Sequence, residues 1–111
     1  MRPSPRTSGA VVVLVTCPDP ATGERLAETL LEEKLAACVN LIPGLTSLYR
    51  WEGKPCRDIE CLLLIKTRRG RLAALTRRVQ ALHPYALPEI VALSIAQGSA
   101  GYLRWLRDST R

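Results

Sequence analysis

Phenylalanine is absent from this chain of 111 residues, and its aromatic residues are only two tryptophans and three tyrosines. Sheet-based RNA-binding modules stack bases on aromatic side chains of their strands. The two most apolar segments, residues 10–16 (AVVVLVT) and 60–67 (ECLLLIKT), contain none. We therefore expect no nucleic-acid partner, although residues 61–88 carry six cations and no carboxylate. Such a basic segment is more typical of a solvated helix face.

Long apolar runs and catalytic motifs are also missing. The longest runs fall far short of the ~20 residues that a membrane-spanning helix needs, so no membrane partner is expected. No glycine-rich phosphate loop, C-x5-R loop or Ser/His/Asp set is present, so we expect no catalytic residues and no enzyme. A Cys/His nucleophile–base pair is the one catalytic alternative, and nothing in the sequence orients it.

The four cysteines form no C-x-x-C pair, which argues against a zinc knuckle or a thioredoxin motif. Their even number is compatible with two disulfides. A chain of this length builds its own core, however, and the sequence has no secretion signal, so we expect free thiols.

The chain is predicted to hold one domain, residues 10–111, after a disordered tail, residues 1–9. The tail (MRPSPRTSG) is polar and basic and contains two prolines. The apolar run that follows is too short for a signal peptide, so we expect a cytoplasmic protein. A transit peptide is the alternative, because the tail bears arginine and serine but no acid.

The pattern of apolar residues predicts the order βαββαβ, followed by a C-terminal helix. Asp19 and Pro20 are typical of a helix start. Pro43 and Gly44 indicate a bulge within a long strand, and residues 52–54 indicate a hairpin turn. Strands are expected at 10–16, 38–52, 57–67 and 89–96, and helices at 20–36, about 72–82 and around 102–106.

This order predicts an α+β protein with a ferredoxin-like antiparallel sheet and both crossover helices on one face. The strands are apolar on both sides, so the other face needs cover. The C-terminal helix covers part of it. A homo-oligomer accounts for the rest, with the long hairpin bearing Tyr49 and Trp51 as an arm that grips a neighbour.

Five segments carry a resemblance that runs in register from about residue 11 to residue 106. They are VTCPDP (15–20), LAACVNLIPGLTSLYRWEGK (35–54), LLLIKT (62–67), HPYALPEIVAL (83–93) and GYLRWL (101–106). Together they resemble the CutA divalent-cation tolerance family. The resemblance implies a ferredoxin-like fold assembled as a homotrimer, and a role in tolerance of copper and other divalent metals. Ala86 departs from the family, where a glutamate is common.

The candidate metal ligands are Cys17 and His83. His83, the only histidine, follows the second helix, and Cys17 follows the first strand, so the topology places both at one edge of the sheet. A thiolate with an imidazole suits Cu(I), Cu(II) or Zn(II). Cys17 also precedes a helix N-terminus, whose dipole is expected to lower the thiol pKa. The candidate cofactor is therefore Cu(II) or another divalent cation.

Other polar residues are weaker candidates. Tyr85 and Glu89 could line the same pocket as His83, or bond across an oligomer interface. Asp58 and Glu60 share one face of a strand, and on an exposed arm such a pair is usually solvated. Cys56 and Cys61 lie five residues apart on one strand, so they point to opposite faces and cannot share an ion. Cys38 is expected to be a small buried apolar residue.

These observations predict a trimeric metal-binding or metal-response protein of copper tolerance without catalysis. Its partners are expected to be copies of itself and divalent metal ions. The resemblance also leaves open a trimeric small-molecule sensor or scaffold, similar to the P-II signalling proteins.

Overall fold

A computed structural model describes residues 8–111. The predicted tail lies outside the described residues at positions 1–7. Ser8, at the end of that tail, donates its backbone N–H to the carbonyl of Ile95 at 3.3 Å and its hydroxyl to the same carbonyl at 2.6 Å. The chain forms strands and helices in the order β1 (Ala10–Cys17), α1 (Pro20–Glu32), β2 (Cys38–Trp51), β3 (Lys54–Arg68), α2 (Leu72–Leu82), β4 (Val91–Ser94) and α3 (Ala100–Asp108).

The four strands make one antiparallel sheet in the order β2-β3-β1-β4. This is the βαββαβ arrangement predicted from the sequence, with the additional C-terminal helix. Alternate residues of the two central strands, β1 and β3, point to the face that α1 and α2 cover, and they are at most 1% exposed. These residues are Val11, Val13, Val15, Cys17, Cys61, Leu63 and Ile65.

The β2–β3 hairpin turns within the predicted residues 52–54, but the turn has only two residues and β3 begins at Lys54, before the expected residue 57. Glu52 and Gly53 both have positive φ values, 50° and 76°, which a tight turn between right-twisted strands requires. The predicted bulge is also present, because the β2–β3 register shifts between Ile42 and Leu45. Strands β2 and β3 are 14 and 15 residues long, so the hairpin reaches beyond the helices.

Helix α1 begins as predicted but ends earlier. The Asp19 side chain caps it by accepting the Thr22 N–H at 2.8 Å, and Pro20 takes the first position. The expected end at residue 36 is wrong. Lys34 adopts a positive φ of 57°, and the Leu35 N–H turns back to the Leu30 carbonyl at 2.9 Å. Leu35 and Ala36 are buried although they lie beyond the helix. Their apolar side chains therefore continued the helical pattern in the sequence.

Strand β4 is shorter than expected, because only Val91–Ser94 pairs with β1. Leu93 and Val91 stand opposite Val12 and Leu14 on the face of the sheet that α1 and α2 do not cover. Leu93 is 55% exposed and Val91 is 47% exposed. We call this surface the open face. Within residues 8–111, no helix is long and apolar enough to cross a membrane.

Candidate functional site

Five polar side chains come together at the end of β1, next to the open face. We call them the polar cluster: Tyr49, Asp58, Glu60, His83 and Tyr85. Asp58 and Glu60 lie two residues apart on β3 and therefore share a face of the sheet. Tyr49 stands on the neighbouring strand, opposite Cys56. His83 and Tyr85 follow α2, where Pro84 ends the helix.

His83 is 7% exposed, and both of its ring nitrogens are engaged. Nδ1 accepts the backbone N–H of Tyr85 at 3.1 Å, so it carries no proton. Nε2 lies 2.8 Å from the carbonyl oxygen of Thr16, which accepts a hydrogen bond only if Nε2 is protonated. His83 is therefore a neutral imidazole that ties the end of α2 to the end of β1. In this arrangement no ring lone pair is left to bind a metal.

The two tyrosines of the cluster each bond to a carboxylate. The Tyr85 hydroxyl donates to Glu60 Oε2 at 2.8 Å, and the Tyr49 hydroxyl donates to Asp58 Oδ2. The hydrogen bond to Asp58 raises the pKa of Tyr49 to about 12. Burial, followed by the bond to Glu60 and the charges of Glu60 and Asp58, raises the pKa of Tyr85. Both phenols therefore stay protonated at neutral pH.

The cluster has an excess of negative charge. Glu60 is only 7% exposed. Among residues 8–111, neither Glu60 nor Asp58 forms an ion pair with a lysine or an arginine. Buried carboxylates are normally paired with a cation or bound to a metal. The cluster therefore offers one buried carboxylate, Glu60, and one exposed carboxylate, Asp58. Each accepts a hydrogen bond from a tyrosine, and neither has a positive partner among the described residues.

Cys17 follows Thr16, the residue that bonds to His83, but its own side chain lies in the core. It is fully buried and stands directly opposite Cys61 in the β1–β3 register. Burial, with smaller contributions from the Cys61 thiol and nearby acids, raises the pKa of Cys17 to about 12. The expectation that the helix dipole would lower this pKa is therefore wrong. Among residues 8–111, no group of three His, Cys, Asp or Glu side chains could hold a metal ion.

The other predicted residues lie outside the cluster or stay apart from one another. Trp51 ends β2 at the hairpin tip and is 48% exposed. Glu89 is exposed before β4. Cys61 is buried in the core, whereas Cys56 is half-buried on the hairpin, so the two thiols do not meet, as their odd spacing indicated. All four cysteines are free, as expected.

Glu60 is the candidate residue whose burial the sequence pattern did not indicate. Its spacing from Asp58 was visible, but an exposed hairpin arm was expected to leave both carboxylates in water. The loop after α2 instead folds back and places Tyr85 over Glu60. Tyr85, two residues after His83, was the feature of the sequence that could have indicated this contact. Its contact with β3, however, depends on the tertiary fold.

The sheet order, the two crossover helices and the additional C-terminal helix define an α+β protein of known architecture. The solved structure of the divalent cation tolerance protein (Cut A1) from Thermus thermophilus superposes with a TM-score of 0.90 at 53% identity, covering 92% of this chain and 99% of that one. The crystal structure of CutA1 from Oryza sativa gives a TM-score of 0.90 at 52% identity, covering 95% of this chain and 96% of that one.

The family model described as CutA1 divalent ion tolerance protein matches residues 11–109. The chain belongs to this family. The divalent-cation tolerance protein CutA of Thermus thermophilus is 54% identical over 99 residues, which are 89% of this chain and 96% of the relative. The chloroplastic protein CutA of Arabidopsis thaliana is 50% identical over 111 residues, which are 100% of this chain but 61% of the relative.

Proposed function

We propose that this chain acts in divalent-cation tolerance by binding the cation at the polar cluster, as part of a homotrimer. The observation that carries this proposal is the pair of carboxylates, Asp58 and Glu60, without a cationic partner among residues 8–111. The names of the family and of its relatives supply the class of ligand.

A divalent ion at the cluster supplies the positive charge that Glu60 and Asp58 lack. Carboxylate oxygens bind hard divalent ions, and they also bind Zn²⁺. Two carboxylates fill only part of a coordination sphere, so water or a side chain from a neighbouring copy completes it. Cu(II) and Zn(II) are the ions to test first, with Mn(II) as the ion that carboxylates favour without imidazole or thiolate.

The sequence-based prediction of ligation by Cys17 and His83 fits the geometry less well. Binding at His83 requires the ring to give up its bond to Thr16 or to Tyr85. Binding at Cys17 requires a buried thiol with a pKa of about 12 to lose its proton. The polar cluster needs neither change, and we therefore favour it.

Native mass spectrometry of the reduced protein tests the cation site. The wild type, Asp58→Asn, Glu60→Gln and the control Glu28→Gln are each titrated with Cu(II), Zn(II) and Mn(II). Glu28 is an exposed carboxylate of α1, so its substitution removes the same charge away from the cluster. We expect specific uptake by the wild type and by Glu28→Gln, and loss of uptake in the two cluster variants.

Two further variants distinguish the cluster from the other candidate ligands. If uptake survives in Asp58→Asn and Glu60→Gln but is lost in His83→Ala or Cys17→Ser, the ion binds at the sequence-predicted pair and the cluster proposal is wrong. Circular dichroism of each variant establishes that it is folded. No specific uptake by the wild type contradicts cation binding at either place.

The exposed apolar residues of the open face and its borders support the proposal of a homotrimer. Large apolar residues on this face and on the hairpin remain exposed, as Leu93 (55%), Leu48 (75%) and Trp51 (48%) illustrate. Strands β2 and β4 are the two edges of the sheet, so their unpaired backbone groups can continue it into a second copy. Since the polar cluster borders the open face, assembly brings a neighbouring copy close to it.

Light scattering with size-exclusion chromatography tests the assembly. We expect the wild type to elute with the mass of three chains. A charge on the open face, Leu93→Glu, is expected to reduce that mass to one chain, whereas Leu31→Glu is expected to leave it unchanged. Leu31 is 43% exposed on α1, on the helix side. A wild-type monomer, or equal effects of both substitutions, contradicts assembly through the open face.

A further inference from the structure

The basic segment noted in the sequence contributes to a cavity that lies apart from the polar cluster. The cavity has a volume of about 430 Å³ and lies between the start of β1, the end of β3 and helix α3. Its charged lining consists of four arginines, Arg68, Arg69, Arg104 and Arg107. A volume of this size falls within the range of small-molecule sites.

Among the residues that the structure describes, no carboxylate lines this cavity. Asp108 lies 3.5 Å from Arg107 Nε and 3.5 Å from an Nη atom of Arg111. Within the described residues 8–111, Arg68, Arg69 and Arg104 have no carboxylate within 4.0 Å. Three guanidinium groups therefore share one concave site without a negative partner, which raises the local concentration of anions.

Two of the arginines are fixed by neutral acceptors. Arg68 Nε and Nη2 donate to the buried carbonyl of Thr110 at 3.2 and 3.0 Å. Gly70 leaves room for this guanidinium, because a Cβ there would lie 2.5 Å from Arg68 Nη1. Arg69 donates to the Ser94 hydroxyl at 2.8 Å. Because a guanidinium has five N–H donors, both groups keep donors for a ligand while their positions are held.

We propose that this cavity binds a small phosphate-bearing anion. Arginine forks match the oxygens of a phosphate group and are always charged. Several guanidinium groups in one site suit a ligand with more than one negative charge. The other described residues of the lining are small or aliphatic, as Ala100, Leu103 and Leu106 illustrate, and none of them is aromatic. A stacked nucleobase is therefore not part of the expected ligand, which argues against a single-stranded nucleic acid.

Isothermal titration calorimetry of the full chain, in metal-free buffer at physiological salt, tests this site. The probes are inorganic pyrophosphate and glucose 6-phosphate, which separate free phosphate from a phosphorylated metabolite. The variants are Arg104→Gln and Arg69→Gln. The control is Arg77→Gln, which removes the same charge from an exposed position on α2, outside the cavity.

We expect saturable binding of at least one probe to the wild type. Loss of one charge-assisted contact is expected to weaken the affinity for this probe by about tenfold in Arg104→Gln and Arg69→Gln. Arg77→Gln is expected to bind within about twofold of the wild type, because Arg77 is exposed outside the cavity and salt screens its charge. Binding of labelled RNA without saturable binding of either probe overturns the proposal. Equal weakening in all three variants also overturns it, since the attraction would then be nonspecific.

Discussion

Replacing Gly23 by alanine provides a sharp test of the packing between α1 and the sheet. Gly23 lies in the first turns of α1 and is buried. A Cβ at this position would lie 3.0 Å from Cys61 Sγ, 3.0 Å from Leu41 Cδ1 and 3.2 Å from Leu63 Cδ2. Optimal carbon contacts are about 3.5–4.0 Å, so three neighbours at once would have to move.

Two opposing effects set the change in the free energy of unfolding that Gly23→Ala causes. Alanine is the better helix former by about 1 kcal/mol. Overpacking of a filled core costs about 1–3 kcal/mol. The net expectation for Gly23→Ala is a loss of about 1 kcal/mol in the free energy of unfolding. Helix propensity alone would predict a gain in stability. From sequence alone this glycine is only a minor weakness of the helix.

Urea unfolding monitored by circular dichroism measures the effect, with Gly101→Ala as the control. Gly101 lies in α3, and a Cβ there meets no atom within 4 Å. Gly101→Ala is expected to keep or raise stability, by up to about 1 kcal/mol. Adding Cys61→Ala to Gly23→Ala removes one of the three contacts, and the double variant should show a favourable coupling of about 0.5 kcal/mol or more. Equal stabilisation by Gly23→Ala and Gly101→Ala would refute the packing argument.

Two further predictions concern titrating groups. Since the pKa of Cys17 is about 12, iodoacetamide near neutral pH should label the half-buried Cys38 and Cys56 well before Cys17, as read by peptide mass spectrometry; rapid labelling of Cys17 would contradict its burial. The raised pKa of Tyr85 means that the folded state holds this proton more tightly than the unfolded state, so its contribution to stability is complete below about pH 10 and decreases as pH rises further. Tyr85→Phe should make the fall in unfolding free energy between about pH 9 and pH 11 shallower. An unchanged slope would mean that other groups cause this fall in stability.

The sequence was a good guide where local chemistry decides the structure. The strand at residues 10–16, the Asp19–Pro20 helix start and a turn within residues 52–54 all depend on neighbouring residues, and all three were predicted from the sequence. The end of α1 was not, because Leu35 and Ala36 are buried by tertiary packing after the helix has reversed at Lys34.

The candidate site was only partly predictable for the same reason. The topology correctly brought the end of α2 to the end of β1, where His83 meets Thr16. The face on which Cys17 lies, and its pairing with Cys61, depend on the register between β1 and β3. Burial of Glu60 depends on the loop that carries Tyr85 back over β3. Neither register nor loop path follows from the spacing of residues.

The most direct test of the central claim is to locate the bound ion. Crystals of the wild-type protein grown with Zn(II) or Cu(II) are measured at the absorption edge of the metal, and an anomalous difference map gives the position of the ion. The account predicts a peak about 2.0–2.2 Å from carboxylate oxygens of Glu60 or Asp58. A peak at Cys17 and His83, or no peak at the polar cluster, would contradict it.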